Sequence, residues 1–206
     1  MDGATRTAGR LGMILLLAFG CRSASEARYV ADFETGAPGW SLPRDERLTA
    51  RVADGRLVMD LKAPQTVGWA LAPFAFQEGE VAVEATLLEG SRSTDYGLIV
   101  LAQGSAFYRF AVSADGFYAV FAHQGDRWRV LVDWTPHGAV RTGRTTNHLR
   151  VRCEGAQMQF WINGVLATAV PREAFEGGGR VGVSVGTMAR GGARVGFTRF
   201  VAVRAR

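Results

Sequence analysis

The hairpin from Phe107 to His123 holds the side chains best suited to gripping a ligand. Successive residues of a strand point to opposite sides, so turning Tyr108, Phe110, Val112, Tyr118, Val120 and Ala122 toward a core places Phe107, Arg109, Phe117, Phe121 and His123 together on the other side. Rings on such a face stack on flat ligands, and a guanidinium or imidazole bonds their hydroxyl groups. A loop or the N-terminal tether could cover the same rings instead, because an exposed apolar cluster promotes association. Trp69, Trp128, Trp134 and Trp161 read as core or rim aromatics, and any of them could border the site.

Other reactive residue types lack the spacing that chemistry needs. His123, His137 and His148 are scattered and do not form an HExxH pair. Gly177–Gly182 matches GxGxxG and Gly182–Gly186 matches GxSxG, but both sit at or within a valine-alternating strand. A dinucleotide loop must open a helix, and a nucleophile elbow must turn from strand to helix, so neither match carries chemistry. Glu80 and Glu84 share one side of Val81–Leu88 with Ala82 between them, and Asp133 stands alone between Val132 and Trp134. All three read as solvated strand-face carboxylates. No catalytic residue, metal site or cofactor is assigned.

These side chains must be positioned by strands. From Tyr29 onward the sequence is a succession of short runs rich in β-branched and aromatic residues, punctuated by Gly, Asp, Asn and Pro. Asn163-Gly164 joins Met158–Ile162 to Val165–Val170, Asp54-Gly55 joins Leu48–Ala53 to Arg56–Leu61, and Asp115-Gly116 joins Phe107–Ser113 to Phe117–His123. Each dipeptide suits a tight hairpin turn. Further strands fall at Val67–Leu71, Val81–Leu88, Tyr96–Ala102, Arg127–Trp134, Val181–Val185 and Val195–Val203, and one helical turn is predicted around Arg172–Phe175, after Pro171. In His148–Cys153, alternation turns Leu149, Val151 and Cys153 inward. The fold class is therefore all-β, a two-sheet antiparallel sandwich.

The front of the chain has a different character. Arg6 and Arg10 precede the apolar run LGMILLLAFGC at residues 11–21, which is shorter than the ~20 residues a spanning helix wants. Residues 1–20 read as an export signal peptide. With Ala18 and Gly20 before Cys21, the stretch resembles the lipobox of bacterial lipoproteins. That resemblance implies a lipidated Cys21 at the mature N-terminus, a tether over residues 21–28 and a folded domain over residues 29–206. Acylation would consume the Cys21 thiol; a disulfide to Cys153 is the competing use. Arg22 is not the aspartate that resembles an inner-membrane retention signal, so outer-membrane placement is favoured in a host with two membranes. The net charge of +5 is spread as single arginines, with Lys62 the sole lysine, which argues against a nucleic-acid patch. Membrane contact is expected through the anchor alone.

Asp32-Phe33-Glu34 with Gly39-Trp40, Tyr96–Ile99, Phe107–Phe110, Trp128 to Trp134, Asn147–Val151, Phe160–Gly164 and Gly179–Gly182 follow one another in an order that resembles the concanavalin A-like jelly-roll domains of bacterial exported proteins. These are related to laminin-G modules and to the keto-disaccharide hydrolase-like domain. The resemblance implies a jelly roll that binds a polysaccharide or envelope glycan on a concave sheet without catalysis. It also implies two alternatives: a glycoside-cleaving enzyme using Glu80, Glu84 or Asp133, and a structural or protein-recognition module. Glu80 and Glu84 do not reproduce the glucanase spacing, and Thr198-Arg199 before Phe200 weakens a carried-over calcium site.

Overall fold

The computed structural model describes residues 1, 27–173 and 177–205. Fourteen strands follow in chain order: β1 (Ala27–Ala31), β2 (Leu48–Ala53), β3 (Arg56–Leu61), β4 (Thr66–Phe76), β5 (Gly79–Glu89), β6 (Asp95–Gln103), β7 (Ala106–Ser113), β8 (Phe117–Gln124), β9 (Arg127–Pro136), β10 (Asn147–Glu154), β11 (Gln157–Ile162), β12 (Val165–Pro171), β13 (Gly179–Thr187) and β14 (Ala193–Arg204). Among the described residues there is no helix. One sheet runs β12-β11-β10-β5-β14-β3-β2, with β1 added beside β14, and the other runs β4-β13-β6-β7-β8-β9. All pairings are antiparallel.

The expected sandwich is therefore formed, with particular differences. Ala27 and Arg28, read as tether, belong to β1 and pair with Arg204 and Val203. Asp54-Gly55 and Asn163-Gly164 take positive φ at both residues, as a tight hairpin turn between twisted strands requires. At Asp115-Gly116 only the glycine does, because Ala114 lengthens that loop. Cys21, the signal segment and most of the tether lie outside the described residues, as does part of the helical turn expected at Arg172–Phe175.

The two sheets close over one apolar interior. Phe110 of β7 meets Phe160 of β11 across the sandwich at 5.5 Å between ring centroids, and Tyr118 meets the same ring at 6.3 Å. Burying each such ring is worth roughly 1.5–3 kcal/mol. Leu149, Val151 and Cys153 do turn inward, and burial pushes the Cys153 thiol pKa up to about 12. Val181, Val183 and Val185 are likewise buried in this core, which puts Ser184 on the opposite side of β13. The amide of Asn147 enters the interior with full satisfaction. Asn147 donates to the Tyr96 hydroxyl and the Arg141 carbonyl, while its Oδ1 accepts from the Arg141 backbone and from Asn163. That network pins the segment following β9 against the sandwich.

Candidate functional site

The outer face of the six-stranded sheet is built from alternate residues of each strand. On β6 and β13 these are Asp95, Gly97, Ile99, Ser184 and Gly186, and on β7 and β8 they are Phe107, Arg109, Ala111, Phe117, Ala119, Phe121 and His123. Small residues at the centre leave room above the sheet. Aromatic residues toward β9 raise a wall beside it.

Arg109 and Asp95 lie at the base of that space, both 2 % exposed, and form an ion pair through Nη2 and Oδ1. Arg109 also donates its Nε to Ser184 Oγ at 3.0 Å. The carboxylate can lie where it does because Gly186 has no side chain: a Cβ there would sit 2.5 Å from both Asp95 oxygens. A buried pair held by an added hydrogen bond is rigid, and removing one partner strands the other charge.

The wall is a chain of ring contacts. Phe107 lies 4.9 Å from Trp69, 4.8 Å from His123 and 5.7 Å from Trp128. His123 donates through Nδ1 to the Ser105 carbonyl, 2.6 Å away, which fixes its ring. Phe121 meets Trp128 and Trp134 edge-on at 6.0 and 5.9 Å. Strict alternation along β9 would send Val132 to the same side as Trp128, Val130 and Trp134. A register shift opposite Val120 and Phe121 instead sets both Leu131 and Val132 against the core. Trp128, Val130 and Trp134 remain at the cleft.

The result is a cleft of about 440 Å³ to which every strand of the sheet contributes, with Val67, Phe121, Trp128, Val130, Trp134 and Met188 as apolar lining and Asp95 and Arg109 as its charged residues. Trp128, Val130 and Met188 are 43, 54 and 38 % exposed, so the walls reach solvent. A smaller depression of about 220 Å³, lined by Phe117, Ser113 and Asp115, adjoins it through Trp134 and Met188.

Of the five residues expected to contact ligand, Phe121 and Arg109 line the cleft and Phe117 lines the adjoining depression. Three of the five, Phe107, Arg109 and His123, sit differently from expectation. Phe107 is on the expected face but fully buried, because β4, β8 and β9 bring the rings of Trp69, His123 and Trp128 against it. Arg109 is an ion-paired base rather than a free donor, and His123 is buried with its Nδ1 taken.

Asp95 and Ser184, which hold Arg109 at the base of the cleft, were not placed in the site by sequence reasoning. The available signal was a pair of opposite charges in two apolar runs, Asp95 before Tyr96–Leu101 and Arg109 within Phe107–Ala111. Trp134 and Trp128 border the site as allowed, whereas Trp161 lies on the outer face of the other sheet with the Arg150 guanidinium 4.5 Å above its ring.

The three acids considered for catalysis do not converge. Glu80 and Glu84 lie on the outer face of the eight-stranded sheet and pair with Arg150 at 3.3 Å and Arg199 at 2.9 Å. Asp133 is exposed on β9 and accepts from the Trp134 backbone N–H. Among the described residues, no group of three or more His, Cys, Asp or Glu could hold a metal ion.

No protein-family model matches the sequence, and neither does any curated protein. Solved structures do match in shape. The carbohydrate-binding module CBM66 from Bacillus subtilis is similar at a TM-score of 0.57 and 14% identity, covering 71% of this chain and 84% of that one. The catalytic domain of a Thermotoga petrophila endo-1,3-beta-glucanase (laminarinase) is similar at 0.59 and 13% identity, covering 87% and 99%. A Bacillus licheniformis beta-glucanase reaches 0.63 at 9% identity, covering 87% and 98%. At these identities the likeness establishes shape alone: the chain is an all-β, concanavalin A-like jelly-roll sandwich of two antiparallel sheets.

Proposed function

We propose that this chain is an exported, lipid-anchored envelope protein whose jelly-roll domain binds a glycan, without cleaving it, in the cleft on the outer face of the six-stranded sheet. The observation that carries this reading is the cleft itself, with Phe121, Trp128 and Trp134 as walls over a base of hydroxyl, small and ion-paired residues. Aromatic faces pair with the apolar faces of sugar rings, and placed polar groups set orientation. The similarity in shape to a carbohydrate-binding module and to glucanases supports the ligand class.

Binding is favoured over cleavage by the placement of the acids. Glycoside hydrolysis uses two carboxyl groups about 5 to 10 Å apart on either side of the scissile bond. Among the described residues lining the cleft, Asp95 is the single carboxylate, and it is committed to Arg109.

The test is a soluble protein beginning at Arg22, run against a panel of envelope and plant polysaccharides by affinity electrophoresis and calorimetry. Expected is retention by at least one polysaccharide without release of reducing ends. Phe117→Ala with Phe121→Ala should weaken retention while the melting temperature stays nearly unchanged. Absence of retention across the panel would refute the reading, and a large fall in melting temperature would make those rings structural. Anchoring is tested separately: Cys21→Ser should move the protein out of the membrane fraction and remove acyl mass, and unchanged fractionation would refute it.

A further inference from the structure

Among the described residues lining the cleft, Asp95 and Arg109 are the two that carry charge, and they neutralise each other. Arg109 is further tied to Ser184, and the Asp95 carboxylate is pressed over Gly186, so neither is free to swing toward a ligand. An entering molecule meets a base with no spare charge.

Resting on the glycan reading above, we infer that the Asp95–Arg109 pair sets the charge selectivity of the cleft. It admits uncharged, hydroxyl-bearing sugars and turns away chains that carry carboxylate or ammonium groups. A charged substituent brought between the aromatic walls loses its hydration and needs a free opposite charge in return. Arg109 can answer a carboxylate only by abandoning Asp95, which would then be buried unpaired. The same holds in reverse for an ammonium group and Asp95. A hydroxyl costs much less to desolvate, and it can donate to the carboxylate or accept from the guanidinium without parting them. Discrimination here works by exclusion.

The experiment uses three probes on one backbone: laminarin, laminarin oxidised to carry 6-carboxyl groups, and laminarin carrying 6-amino groups. The wild type should bind the neutral chain at least about tenfold tighter than either charged form, with little dependence on salt. Asp95→Asn uncovers the guanidinium and should shift preference to the carboxylated chain by about tenfold or more, with strong salt dependence. Arg109→Met should shift it toward the amino form. The double variant Asp95→Asn/Arg109→Met removes both charges and should return to the neutral preference, a replacement that buried pairs commonly tolerate.

If one single variant does not fold, the other still decides, because each is expected to shift preference toward the opposite charge. A wild type that binds the carboxylated or amino chain as tightly as the neutral one overturns the inference. Tight neutral binding with no change of preference in folded single variants overturns the charge rule but leaves the glycan reading standing. Failure of the wild type to bind any of the three, with no retention across the wider polysaccharide panel, overturns both.

Discussion

The two outward faces of the sandwich use the same residue types to opposite ends. On the eight-stranded sheet, arginines and carboxylates of the outer face pair at or near the surface: Arg51 and Arg194 share Asp60, Arg194 also reaches Glu89, Arg199 pairs with Glu84 and Arg150 with Glu80. On the six-stranded sheet one pair, Asp95–Arg109, is buried at the base of a cleft walled by rings. Exposed pairs are screened and contribute little, whereas a buried pair is costly to assemble and costlier to break. On the proposed reading, a face that keeps a buried pair beside exposed tryptophan is organised around a ligand. A face of solvated pairs is organised around solubility.

Breaking the buried pair should show the contrast most strongly. Asp95→Asn is expected to lower unfolding stability by about 3–5 kcal/mol in urea titration, since Arg109 is left uncompensated. Phe107→Ala should fall in the same range of about 3–5 kcal/mol, because that ring is fully buried although it belongs to the outer face. Trp128→Ala, at a half-open position, should cost under about 1 kcal/mol of stability yet weaken polysaccharide retention severalfold. On the other sheet, Glu84→Gln should change stability by no more than about 1 kcal/mol and leave retention untouched.

The smallest effect concerns acid. Burial pushes the Asp60 carboxyl up, but hydrogen bonds from Arg51 and Arg194 outweigh it and hold the group below the ordinary carboxylate range. A lowered native pKa means that its contribution is fully present above the unfolded value near ~3.9 and is lost as pH falls through the native value. Asp60→Asn should therefore lower stability slightly at neutral pH and flatten the acid limb of the stability curve, its difference from the wild type vanishing as pH falls through the native value. A mid-pH loss comparable to that of Asp95→Asn would erase the distinction between the faces.

Much of the frame could be read from the chain, because alternation and turn chemistry are local. Leu48–Ala53 and Arg56–Leu61 came out with their bounds, and Asp54-Gly55 made the turn expected of it. The face of Phe107, Arg109, Phe117, Phe121 and His123 was legible for the same reason. What strand sits over a ring is not local. Trp128 covers Phe107 only because β9 pairs beside β8, and the register shift near Phe121 could not be read from spacing in Arg127–Trp134. Asp95 was missed because it opens β6 and meets Arg109 from the neighbouring strand, a partnership fixed by strand order. Ala27 and Arg28 looked like tether because their pairing partner lies at the far end of the chain.

The most direct test is the position of a bound oligosaccharide, determined crystallographically or by chemical-shift mapping on the soluble domain. Expected is a sugar ring against Phe121, Trp128 or Trp134, over Asp95 and Arg109, with the outer face of the eight-stranded sheet undisturbed. A ligand seated on that other face, around Trp161 and Arg150, with the cleft empty, would contradict it.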